Sequence, residues 1–77
     1  MLSVRMPRDR VFRITFRSRG KEYRLISRGP CARQAGEAVA ALSPRLEVLE
    51  VEDLGLRSDM DDAEFEHLLD EVKRMNL

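Results

Sequence analysis

Between Arg10 and Arg28 the chain alternates in a way that leaves little freedom of fold: RVFRITFRSRGKEYRLISR. Phe12, Ile14 and Phe16 alternate with Val11, Arg13, Thr15 and Arg17, and Tyr23 and Leu25 alternate with Glu22, Arg24, Ile26 and Arg28. A period of two belongs to a strand with one buried face. The Arg19-Gly20 step between the two runs supplies the glycine that a two-residue hairpin loop wants at positive φ. Closing the loop there pairs Phe16 with Tyr23, Ile14 with Leu25 and Arg17 with Glu22. A slip of one residue would turn one strand's apolar side chains to the wrong face. The hairpin is therefore expected to carry one apolar face, from Phe12, Ile14, Phe16, Tyr23 and Leu25. The other face is basic, from Arg13, Arg17, Arg24 and Arg28, interrupted by Val11, Thr15, Glu22 and Ile26.

Gly29-Pro30 breaks the second strand, and proline is well placed at a first helical position, where its missing N–H costs nothing. The alanine-rich run Pro30 to Leu42 is expected to be a helix. Its small face runs through Cys31, Ala35, Ala38 and Leu42, widened by Ala32 and Val39, which suits a close approach to the sheet. Ser43-Pro44 stops it, since the residue before proline is pushed out of the α region. Arg45 to Leu54 is the third strand, with imperfect alternation: Leu49 and Val51 share one face, Leu46, Val48, Glu50 and Glu52 the other. A right-handed strand–helix–strand crossover places it on the far side of the first strand. Leu49 and Val51 then join the core, and Glu50 and Glu52 fall beside Arg13 and Arg17. After a linker from Gly55 to Ser58, a second helix is expected from Met60 to Met75. It carries the stripe Phe65, Leu68, Leu69, Val72 and Met75, with Ser58 or Asp61 as cap, the latter with Glu64 three residues on. The expected fold is α+β: a two-layer ββαβα sandwich with a three-stranded sheet of order 2-1-3 and both helices on the apolar face.

A chain of 77 residues makes a single domain, near the lower limit for one core to hold itself together. Met1 to Asp9 is expected to be a loose lead-in, with Leu2, Val4 and Met6 as a possible extension of the sheet. No apolar run approaches the ~20 residues of a membrane span, and the first ten residues have no secretory h-region. With one cysteine and no internal disulfide, the expected location is cytoplasmic. The net charge of zero hides a split: residues 1–45 hold eleven Lys/Arg and three Asp/Glu, residues 46–77 three and eleven. Such a split means either a basic nucleic-acid surface with an acidic tail or two halves that neutralise each other.

No motif identifies a reaction. Cys31, at a helix N-terminus between Arg28 and Arg33, is either a reactive thiol or a small, partly buried side chain. His67, among Glu64, Glu66, Asp70 and Glu71, lacks the partners of a metal set. The acidic run has no EF-hand spacing, and the glycines have no phosphate-loop spacing. The chain is thus expected to be non-enzymatic, with no metal, cofactor or small-molecule substrate. Its most economical role is as a protein-binding module: a homodimer, adaptor or inhibitor of a larger complex. A small core gains from association, both outer strands are open edges, and the charge is polarised. The alternative is RNA or DNA binding through Arg13, Arg17, Arg19, Lys21, Arg24 and Arg28 on the basic face and tip of the hairpin. The aromatics, placed under the helices, are then core and not a stacking platform.

Overall fold

The computed structural model describes residues 9–76. The expectation for Leu2, Val4 and Met6 lies outside them. Strand β1 spans Arg10–Ser18 and β2 spans Lys21–Gly29, joined at Arg19 and Gly20, which have φ of 54° and 77°. Positive φ at both loop positions is the I′ geometry whose twist matches that of the strands it joins. The register is the expected one: Ile14 faces Leu25, Phe16 faces Tyr23 and Arg17 faces Glu22. The Phe16 and Tyr23 rings stack with centroids 5.7 Å apart. Helix α1 covers Ala32–Ala40, strand β3 covers Leu46–Leu56, a 3-10 turn follows at Arg57–Asp59, and helix α2 covers Asp62–Met75. The sheet is antiparallel with order β2-β1-β3.

Phe12 and Ile14 are fully buried and pack with Ala35 and Val39 of α1. Phe16, Leu25, Leu46, Val48 and Val51 close around them. The face that α1 buries is rotated from the expected one. Ala35 and Val39 are inside, whereas Ala38 is exposed and Leu42 is 71% exposed. Gly36 belongs to the contact: a Cβ built there would lie 3.3 Å from Val51 Cγ2. Pro30 and Cys31 precede the helix instead of opening it, Cys31 being the extended N-cap residue.

In β3 the expected partition is corrected by a bulge. The register against β1 shifts between Thr15 and Phe16, so Thr15 faces Glu50 while Phe16 faces Val48. Leu49 is the extra residue; it is left 38% exposed, and Val48 takes its expected place in the core. The same shift brings Glu47, not Glu50, opposite Arg17. A bulge inserts one residue on one strand and so changes which side chains face inward beyond it.

The two helices lie on opposite faces of the sheet, which corrects the expectation that they share the Phe12 face. Residues of α2 reach Arg13 and Arg28, whose side chains point away from Phe12 and Ile14. Val11, on the arginine face, is fully buried, and Val72 of α2 is 7% exposed. The outer strand axes of a three-stranded sheet are only about 10 Å apart, and a helix with its side chains is about 10–12 Å across. One face has room for one helix. The uncharged residues among the arginines, Val11, Thr15 and Ile26, give α2 its floor.

Candidate functional site

The six basic residues singled out by sequence separate into two groups. Arg13 and Arg28 are each engaged by a carboxylate and by a residue of α2. Arg13 donates to both carboxylate oxygens of Glu52, at 2.5 and 3.0 Å, and its other terminal nitrogen stands 3.7 Å from Glu71 Oε1 of α2. Its side chain is one-quarter exposed, so this ion pair helps to glue α2 to the sheet instead of facing a ligand. Arg28 donates to Asp9 and lies 5.7 Å from the centre of the Phe65 ring. The hydrogen bond from Arg28 holds the Asp9 carboxyl below its ordinary pKa and raises that of Arg28 in turn. Asp53 is likewise lowered, first by its bond from Arg10 and then by the Gly55 N–H.

Arg57, which the sequence did not mark, organises the entry to α2. Its guanidinium donates to Met60 O at 2.9 Å and to Asp62 Oδ1 at 2.6 Å, and sits 4.6 Å from the Phe65 ring centre. Asp61 caps the helix by accepting from the Glu64 N–H at 2.8 Å, as expected.

The second group lies at the hairpin tip. Arg17 is half-exposed and reaches Glu47 only at 3.7 Å. Arg19 and Lys21 are exposed, and Arg45 joins them because Leu46 pairs with Ser18. Among the described residues, Arg19, Lys21, Arg24 and Arg45 have no carboxylate oxygen within 4.0 Å.

The sheet has two outer edges, and they are not equivalent. On β2, Asn76, the residue that ends α2, places its carboxamide against the peptide unit of Arg24. The Arg24 N–H donates to Asn76 Oδ1 at 2.7 Å, and Asn76 Nδ2 donates to Arg24 O at 2.6 Å. A carboxamide so placed reproduces the donor and acceptor that a neighbouring strand would offer. It also fixes the phase of the ladder. The Arg24 backbone groups point outward, so by alternation those of its partner Thr15 point towards β3, with Val11, Arg13 and Arg17. On β3, Glu47, Glu50 and Glu52 therefore pair inward with β1, and the peptide groups of Val48, Val51 and Asp53 point out. No described strand pairs with this edge, and the Leu46 N–H at its start donates to Ser43 O at 3.2 Å. Glu47 and Glu50 are exposed beside it, and Glu50 has no ion-pair partner among the described residues.

Cys31 is exposed, which sets aside the partly buried alternative. His67 is exposed on α2 and borders a shallow apolar groove of about 520 Å³ with Leu54, Met60, Ala63 and Leu68. Among the described residues no group of three His, Cys, Asp or Glu side chains is placed to hold a metal ion, and no helix is long and apolar enough to cross a membrane.

Fold and edges together define a small α+β domain whose sheet has one outer edge occupied by Asn76 at Arg24 and another that no described strand pairs with. Comparison with protein-family models, curated proteins and solved structures finds no match.

Proposed function

We propose that this is a small, non-enzymatic, cytoplasmic module that binds another protein by taking up an extended segment of it along β3. The supporting observation is the asymmetry of the edges. Asn76 occupies the outer peptide groups of β2 at Arg24, whereas β3 is an eleven-residue strand whose outer groups at Val48, Val51 and Asp53 no described residue satisfies, the Leu46 N–H at its start donating to Ser43 O at 3.2 Å. Strand addition at such an edge derives its affinity from main-chain hydrogen bonds and its specificity from alternate side chains. An adaptor or inhibitor fits better than a homodimer here, because pairing β3 with itself would set Glu47, Glu50 and Glu52 of one copy against those of the other.

A second role, nucleic-acid binding, rests on the tip alone: Arg19, Lys21 and Arg45 are exposed and free of carboxylate partners among the described residues. Amide NMR on the ¹⁵N-labelled protein separates the two. An extended octapeptide alternating Thr and Val is expected to shift resonances of residues 46–53. A single-stranded RNA octamer is expected to leave Arg19, Lys21 and Arg45 unmoved at moderate salt. RNA-induced shifts at the tip with an unmoved β3 would reverse the assignment.

A further inference from the structure

The chemistry along β3 specifies its occupant more narrowly. We infer that the segment bound there alternates basic with apolar residues; this rests on the proposed role of the β3 edge. A strand added beside β3 continues the pleat, so its side chains fall alternately on the two faces of the sheet. On the α2 face its neighbours are Glu47, Glu50 and Glu52. Glu52 is already engaged by Arg13, but Glu47 is 67% exposed and held only loosely by Arg17, and Glu50 has no ion-pair partner among the described residues. On the α1 face the neighbours are Leu46, Val48 and Val51, which are partly buried at the rim of the core, with Leu49 exposed at the bulge. The edge therefore presents a carboxylate row to one set of alternate side chains and an apolar rim to the other.

The same charges exclude other occupants. An acidic strand would meet like charges on one face, and a second copy of β3 would do the same. The basic strand of this chain that would match, β2, carries Asn76 on its own edge at Arg24, and adding it through that peptide unit to the β3 of a neighbour would break two hydrogen bonds. The fitted occupant is a Lys/Arg-bearing extended segment of a different protein, taken up one per chain.

Fluorescence anisotropy with labelled octapeptides alternating Lys/Val, Thr/Val and Glu/Val tests this. A favourable cross-strand charge pair changes affinity by about two- to fivefold. With two usable carboxylates, Lys/Val is expected to bind roughly tenfold tighter than Thr/Val at low salt, and the gap to narrow as salt rises. Glu/Val is expected to bind least. The variant Glu47→Lys plus Glu50→Lys, which changes two exposed side chains, is expected to reverse the order. Equal binding of all three peptides would overturn the charge assignment while leaving β3 as a docking edge. Binding by none would overturn the docking edge itself.

Discussion

Replacing Asn76 by alanine removes a single exposed side chain and, on this account, reopens β2. The loss is confined to two hydrogen bonds, Arg24 N–H to Asn76 Oδ1 at 2.7 Å and Asn76 Nδ2 to Arg24 O at 2.6 Å. Each is worth a net of about 0.5–1.5 kcal/mol, and because water replaces both partners at this exposed edge the total lies at the low end, about 1–2 kcal/mol. For a domain of this size that lowers Tm by roughly 4–16 °C. Hydrogen exchange resolves the effect to one peptide group. In β2 the outward amides of Glu22 and Arg24 should behave alike unless Asn76 protects the second. Arg24 is expected to exchange about 5- to 30-fold more slowly than Glu22 in the parent protein, after correction for intrinsic rates, and no more slowly in Asn76→Ala. Tyr23 and Leu25, whose amides point to β1, should keep their protection in both. An Arg24 amide as fast as that of Glu22 in the parent protein would refute the closed edge.

Two further perturbations test the packing and the charges. Gly36→Val adds a branched side chain where even a Cβ would stand 3.3 Å from Val51 Cγ2. It should cost about 1–3 kcal/mol in urea unfolding, whereas Ala38→Val, at an exposed position of the same helix, should cost only a few tenths; equal costs would contradict the close approach of α1 to β3. Asp9 and Asp53 have folded-state pKa values below the ordinary 3.8, so the unfolded chain binds more protons than the native one as pH falls past that value. Their contribution is present above about pH 3.8 and fades below it. Melting temperatures of Asp9→Asn plus Asp53→Asn should therefore fall less steeply below pH 4 than those of the parent; parallel curves would contradict the pairing with Arg28 and Arg10.

The parts of this fold that follow from short-range pattern were legible in the sequence. Alternation and the Arg19-Gly20 loop gave the hairpin in its observed register, and the right-handed crossover gave the order β2-β1-β3. Asp61 and the stripe from Phe65 to Val72 gave α2. What was hidden depends on how elements meet. The imperfect alternation of β3 left a bulge near Leu49 open without deciding it, since either phase puts some valine or leucine inward. The side taken by α2 could have been argued from sheet width, with Val11, Thr15 and Ile26 as the clue, but the charge of that face pointed the other way. Arg13 and Arg28 looked free because a strand pattern reveals which face a side chain occupies, and not that Glu52 and Glu71 will pair with the first or that Asp9 and Phe65 will engage the second, which stays half-exposed. Asn76 gives no signal at all in a single sequence: a polar residue at a helix end is ordinary, and its partner lies fifty-two positions away.

Docking of a segment along β3 would be reported directly by the outward amides of that strand. Hydrogen exchange measured with and without saturating Lys/Val octapeptide should show the amides of Val48, Val51 and Asp53 slowing on binding, because those N–H groups gain carbonyl partners, while Glu22 of β2 and Arg19 at the tip stay unchanged. Slowing at β2 or the tip with no change along β3 would contradict the account.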